Sequence, residues 1–283
     1  MLVENKQSKV NGFDGGFTVL MAVYQRDNPN YFKRALDSVF ANTLSPNKVI
    51  LVVDGPVPSL IEQVIEAVQF EQDSITVLRL DKNRGLAVAL NAGLDLVATK
   101  WVVRADSDDI NRTHRFAYQA GAIFAAVHPV DLIGAAIQEI DFDGRPLAVR
   151  RTVETNEEIR KFAQRRNPFN HQTVAFRVDL ARQAGGYPII HLKEDYALWA
   201  KMIKNGAHCL NLSDILVDAV TGRDMYRRRG GLKYAFSEVD LQAHLVSCGL
   251  KTLPKAVFDG FARSTVFLMP SWMREFFYMH ALR

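Results

Sequence analysis

Three carboxylates fall within four residues in the run Arg104-Ala105-Asp106-Ser107-Asp108-Asp109. Packed so closely, they repel one another unless a cation or hydrogen-bond donors neutralise them. Hard oxygen ligands at a turn suit Mg2+ or Mn2+, ions that bridge to substrate phosphates rather than sitting in an all-protein cage. The same run also reads as an acidic cap for a helix beginning near Asn111. Other groups have types that could join such a centre. Asp54 lies in an Asp-Gly-Pro turn, where its carboxylate either binds a base or ribose or simply closes the turn. Lys193-Glu194-Asp195 precedes a helical stretch from Tyr196 to Asn205, so Asp195 is either its N-cap or a general base for a hydroxyl. His171, in Asn170-His171-Gln172-Thr173, is a structural or a catalytic imidazole. Arg223 and the run Tyr226 to Gly231 (YRRRGG) offer guanidinium forks for a diphosphate, on a flap or on a solvated loop.

These groups need a scaffold, and the hydrophobic pattern supplies one. Phe17–Tyr24, Lys48–Val53, Ile75–Leu80 and Trp101–Ala105 are short apolar runs that read as buried strands. Residues 30–42, 59–70 and 86–97 between them carry apolar residues at helical spacing. Strands alternating with helices predict an α/β fold with a mostly parallel sheet covered on both faces. Ligands of such sheets bind beyond the carboxyl ends of the strands. Those ends carry Tyr24-Gln25-Arg26, Asp54-Gly55, Asp81-Lys82-Asn83 and the Asp106–Asp109 run, so four polar clusters are expected on one rim. The second half is less regular. Its pattern predicts helices over 112–127, 156–164, 179–184 and 195–205, strands over 130–140 and 170–177, and a helical tail from Gly231. No internal repeat or low-complexity linker divides the chain.

Composition narrows the function classes. The 283 residues are 48% hydrophobic and 23% charged, which excludes wholesale disorder, collagen and coiled coil. Two cysteines cannot build a disulfide framework or a cysteine-rich zinc site, and they fit reduced thiols in a cytoplasmic setting. No transmembrane span is expected, because no stretch approaches about 18 uninterrupted apolar residues. The polar first 16 residues do not resemble a signal peptide. The net charge of +4 is mild, but arginines and lysines cluster over 145–166 and 223–233. Such clusters are either solvated surface or sites for phosphates of nucleotides, lipid headgroups or nucleic acid. A nucleic-acid binder leaves the acidic rim unexplained, so no nucleic-acid partner is expected. The segment Trp272 to Leu282 (WMREFFYMHAL) is aromatic, Met-rich and flanked by cations. It either docks as a last helix or adsorbs to an anionic membrane. Dinucleotide-binding, P-loop and nucleophile-elbow motifs are absent. A D-x-D-type phosphatase stays an alternative, although its motif would follow the first strand and not the fourth.

The ordered motifs FTVLMAVYQR from Phe17, KVILVVDG from Lys48, DKNRGLAVALNAGL from Asp81, WVVRADSDDI from Trp101 and KEDYALW from Lys193 resemble the family 2 glycosyltransferases of GT-A fold. They are especially similar to bacterial exopolysaccharide enzymes of the amylovoran type. The resemblance implies a Rossmann-like GT-A domain over 17–230, with a nucleotide half to residue 110 and an acceptor half beyond it. A flexible segment would precede it, and a helical extension over 231–283 would pack on the domain or the membrane. The implied activity is inverting transfer from a nucleoside-diphosphate sugar, usually a UDP-sugar, to a glycan or lipid-linked hydroxyl, with Mn2+ or Mg2+. A bare nucleotide-sugar binder without turnover is the neighbouring alternative. Ala22, Tyr24 and Arg26 would line the nucleotide pocket, and Asp54 would bind the base. Asn83, Gly85 and Asn91 would form the third wall, while Arg104, Asp106 and Ser107 would meet the nucleotide sugar. Asp106 and Asp108 match the family's metal-binding D-x-D, and Asp195 matches its base. His171, Glu194, Arg223 and Arg227 would stand beside the diphosphate and acceptor. The location implied is cytoplasmic, peripheral to the inner face of the plasma membrane.

Overall fold

Val19, Leu20 and Met21 point alternately to opposite sides of the first strand, yet all three are fully buried. That strand therefore runs through the middle of a sheet covered on both faces. The computed structural model describes residues 12–221 and 230–269. Its first half alternates β1 (Phe17–Val23), α1 (Pro29–Phe40), β2 (Lys48–Val53), α2 (Ser59–Glu71), β3 (Ile75–Arg79), α3 (Leu86–Asp95) and β4 (Trp101–Arg104). Pairing of β1 with β2 and β4, and of β2 with β3, is parallel throughout. One face packs Leu20, Ile50 and Val52 against Leu90 of α3 and Trp199. The other packs Val19, Met21 and Leu51 against Phe32 of α1 and Ile61 of α2.

Beyond β4 come β5 (Ile110–Asn111), α4 (Arg115–Ala125), β6 (Leu132–Ile140), β7 (Pro146–Arg150), α5 (Asn156–Phe162), β8 (Ala175–Arg177), α6 (Val178–Gln183), α7 (Glu194–Lys204) and β9 (Cys209–Val220). The nine strands of the described residues form one sheet in the order β3-β2-β1-β4-β8-β6-β9-β5, with β7 on β6. β8 runs antiparallel to β4 and β6, whereas β6 and β9 are parallel. The helix expected over 112–127 starts later, at Arg115, because Ile110 and Asn111 pair with β9. The strand expected over 170–177 shrinks to β8, since His171–Thr173 coil into one 3-10 turn. β7 and β9 had no counterpart in the sequence pattern. In β9 the polar Asn211, Ser213 and Asp214 interrupt the apolar run, and its register against β6 slips beside Ala135 and Ala136.

The described part of the tail is two helices, α8 (Leu232–Ser247) and α9 (Leu253–Leu268), separated at Gly249, whose φ of 70° ends the first of them. Among the described residues no helix is long and apolar enough to cross a membrane.

Candidate active site

β4 ends at Arg104, and the chain turns through the acidic run before β5. Arg104 is buried, with its guanidinium 2.5 Å from Asp106 Oδ1. Behind it stands Arg115 of α4, fully buried, donating to Asn111 Oδ1 and, at 2.8 Å, to the Arg104 carbonyl. Burial lowers the Arg115 guanidinium to about 9, against the attraction of Asp106 and Asp109. Burial alone would raise the Asp106 carboxyl, but Arg104 and His171 hold it below the usual carboxylate range. Asp109 Oδ1 accepts from the Val220 amide at 2.9 Å, tying the turn to β9. Burial and the charges of Asp108 and Asp106 push Asp109 well above its ordinary value. Asp108 is reachable by solvent, yet desolvation by its surroundings and the charges of Asp106 and Asp27 raise it to about 6.

Asp195 arrives from a distant part of the chain. α7 begins at Glu194 with Lys193 as its N-cap residue, so Asp195 lies inside the first turn and is not the cap. Leu192, directly before it, has φ 58°, a left-handed conformation that costs energy for a branched side chain. Asp195 Oδ2 accepts from Asn167 Nδ2 at 3.0 Å and lies 3.5 Å from His171 Nδ1. The other ring nitrogen, His171 Nε2, is 2.9 Å from Asp106 Oδ2. Burial by itself would lower the imidazole, but Asp106, aided by Asp195, raises it to about 9. A protonated ring thus bridges the two acidic clusters at neutral pH. Glu194 is buried, and desolvation followed by the charge of Asp195 raises it to about 7. Arg104, Asp106, Asp108, His171, Glu194 and Asp195 all line one cleft of about 1320 Å³.

The remaining rim residues are not among those that line this cleft, and they join one another in pairs. Asp27 Oδ2 accepts from the Tyr24 amide at 3.0 Å and from Ser107 Oγ at 2.9 Å, linking the β1 and β4 ends. Ala22 is half-buried in β1, and Arg26 is exposed on the turn that follows. Asp54, only 4% exposed, accepts from the Arg84 amide at 2.7 Å and the Gly85 amide at 2.9 Å. Asn83 Nδ2 donates to the Asp54 carbonyl at 3.2 Å. A Cβ on Gly55 would lie 2.4 Å from the Asn83 amide, so the two loops touch backbone to backbone. Asp54 therefore holds the start of α3 in place, a role its sequence context did not reveal. Asn91 likewise spends both ends of its amide on the Tyr187 backbone, at 2.8 and 2.7 Å. Arg223, Arg227 and the segment from Trp272 to Leu282 lie outside the described residues.

Asn167, Arg115, Asp27 and Glu238 are contributors that sequence reading missed. Asp27 directly follows the polar cluster at the end of β1, which was its only signal. Glu238 of α8 is fully buried and 2.8 Å from Lys193 Nζ, pinning the start of α7. Nothing local marks it.

Among the described residues no cluster of three or more His, Cys, Asp or Glu side chains encloses a metal. The donor set nevertheless fits a hard cation. Asp108 offers a carboxylate raised by like charges, Asp106 stands two residues away, and a shared divalent ion would relieve their repulsion. The other ligands would have to be substrate phosphates and water.

The sequence pattern of glycosyl transferase family 2 matches residues 18–183. The UDP-Gal:alpha-D-GlcNAc-diphosphoundecaprenol beta-1,3-galactosyltransferase of Escherichia coli is 36% identical over 267 residues, covering 94% of this chain and 96% of that protein. The amylovoran biosynthesis glycosyltransferase AmsE of Erwinia amylovora is 35% identical over 272 residues, covering 93% and 97%. Among solved structures, S. aureus TarS 1-349 in complex with UDP-GlcNAc superposes with a TM-score of 0.68 at 17% identity, over 95% of this chain and 76% of that one. A mannosyltransferase from Pyrobaculum calidifontis in complex with GDP-Man and Mn2+ superposes with a TM-score of 0.61 at 17% identity, over 94% and 80%. The fold is the GT-A fold of glycosyltransferases.

Proposed function

The chain belongs to glycosyl transferase family 2, and on that premise we propose an inverting transfer of sugar from a nucleoside-diphosphate sugar. The donor we favour is a UDP-sugar, and the acceptor a hydroxyl of a lipid-linked glycan in surface-polysaccharide synthesis. The E. coli relative's UDP-Gal and diphosphoundecaprenol substrates support that choice, as does AmsE. One observation carries the reading. The turn after β4 and the start of α7 meet across a single side chain, with His171 2.9 Å from Asp106 and 3.5 Å from Asp195.

Asp195 is the base that removes the acceptor hydroxyl's proton, held by Asn167 and by the charged His171 ring. A base on one side and a leaving diphosphate on the other give a single in-line displacement, hence inversion. Glu194, raised to about 7, is less ionised at neutral pH than an ordinary carboxylate. Asp106, Ser107 and Arg104 face the donor, while Ala22, Tyr24, Arg26, Asn83 and Gly85 shape the nucleotide side. Asp54 and Asn91 act there by fixing the loops they bind. Asp106 and Asp108 would hold Mn2+ or Mg2+, which when bound neutralises charge on the leaving diphosphate. The enzyme works in the cytoplasm, at the inner face of the plasma membrane, where a soluble donor and a lipid-linked acceptor meet.

The test is release of nucleoside diphosphate from a panel led by UDP-galactose and UDP-N-acetylglucosamine, with and without acceptor and Mn2+. Acceptor-dependent release is expected, and phosphate release from simple phosphomonoesters would point to a phosphatase instead. Asp195→Asn should cut transfer by about 10²–10⁴-fold while donor binding persists, the range for losing a general base. Near-normal turnover by that variant removes Asp195 from the role.

A further inference from the structure

The α8–α9 hairpin is apolar on its outward side as well as on its inward one, where Tyr234, Ala235, Leu241, Leu245 and Phe267 are buried. On α9 the exposed residues include Leu253, Val257, Phe258, Phe261 and Leu268, with Phe258 73% and Phe261 77% exposed. Two of its charged residues turn inward instead: Asp259 pairs with Lys251, and Arg263 lies 3.4 Å from the fully buried Glu238. On α8, Leu232, Phe236 and Val239 are exposed at i, i+4 and i+7, one stripe of a helix, while Glu238 and Gln242 are buried. A helix on a water-facing surface carries one apolar stripe, turned inward, so a second stripe turned outward is out of place there. Exposed apolar stripes of this kind mark a surface that another phase or molecule covers.

The occupant follows from three further observations. Tyr234, Arg263, Val266 and Phe267 of the same two helices line the catalytic cleft, so the apolar face and the substrate cleft share one wall. The sequence beyond the described residues, 270–283, continues with Trp272, Phe276, Phe277 and Tyr278 between Arg274 and Arg283. Aromatic rings beside cations are the composition of the bilayer interface. The inward charges of α9 are paired off, and the exposed charges of the two helices are Lys233, Lys255 and Asp240, an excess of one positive charge toward anionic headgroups. No described helix is long enough to cross, so the hairpin lies on the surface and does not span it.

We propose that the outward face of α8 and α9 rests in the headgroup region of an anionic bilayer, presenting the cleft to the membrane surface. The proposal rests on the lipid-linked acceptor reading above and adds the surface and the orientation by which the enzyme reaches it.

The experiment is flotation of the full chain with vesicles of phosphatidylglycerol and phosphatidylethanolamine, against phosphatidylcholine vesicles. It compares wild type with Phe258→Glu/Phe261→Glu and with Leu232→Glu/Phe236→Glu, recording solution mass and the thermal shift given by UDP-sugars. Wild type should float with the anionic vesicles, and each double variant should partition about tenfold less or weaker still. The UDP-sugar shift should be unchanged. The pairs lie on different helices, so misfolding of one leaves the other to decide. Wild type that stays with the soluble fraction, or variants that float equally well, overturn the proposal. So does a wild-type dimer that the substitutions split, which would make the face a contact between copies. Flotation that begins only after residues 270–283 are deleted also overturns it, because that segment would then be the cover. Vesicle binding without any UDP-sugar shift would count against the transferase reading alone.

Discussion

Glu194→Gln keeps the size of the side chain and removes its ability to ionise. Glu194 is 7% exposed, and burial together with Asp195 moves its carboxyl from 4.5 to about 7. A carboxyl raised on folding contributes its full share to stability below the unfolded value of 4.5, where both states hold the proton. As pH rises, the unfolded chain releases its proton first, and that contribution is lost by the time the folded group has titrated near 7. Each pH unit between the unfolded and folded values is worth about 1.4 kcal/mol, so wild type should lose roughly 3 kcal/mol from this source. Gln cannot lose it. Urea denaturation of both proteins should therefore show nearly equal stability at about pH 4 and a variant more stable by as much as about 3 kcal/mol at about pH 8. The helix start moderates the gain, because a carboxylate in the first turn of α7 is favoured by a few tenths of a kcal/mol. A stability difference that stays flat across this range would show that Glu194 is not held in a desolvated, like-charged setting. Transfer activity separates it from its neighbour: Glu194→Gln should retain far more turnover than Asp195→Asn.

Asp108→Asn removes one of the like charges that raise the cluster, so it should stabilise the metal-free protein at neutral pH while weakening Mn2+-dependent UDP binding. An unchanged Mn2+ titration counts against Asp108 as a ligand. Gly93→Ala places a Cβ 2.4 Å from Leu20 Cδ1 and 2.8 Å from Val52 Cγ2, overpacking α3 against the sheet. Thermal denaturation should register a loss of about 1–3 kcal/mol, and a neutral result would mean that these side chains yield freely. Burial pushes the Cys209 thiol up to about 12, so a thiol reagent should leave it unmodified in the native protein and label it on unfolding. Rapid native labelling at Cys209 would contradict its burial.

The first half of the fold was legible because its order is local. Apolar runs of strand length between amphipathic stretches set β1 to β4 and α1 to α3, and the polar residues at the strand ends followed from that alternation. Asp106–Asp109 and Glu194-Asp195 stood out as clustered carboxylates before anything was known of their surroundings. What stayed hidden depended on partners far along the chain. β9 reads as a broken apolar run, and only its pairing with β6 makes it a strand. Asp54 and Asn91 carry types that suit a ligand, yet tertiary contacts commit them to the backbone at Gly85 and Tyr187. His171 gave no sign that it would bridge Asp106 and Asp195, nor Glu238 and Arg263 that they would meet within the α8–α9 hairpin. Composition and periodicity determine which segments can be strand, helix or acidic turn, because those preferences act over a few residues. Which side chains meet, and which lose their water and so change their protonation, is decided only when the packed sheet brings distant segments together.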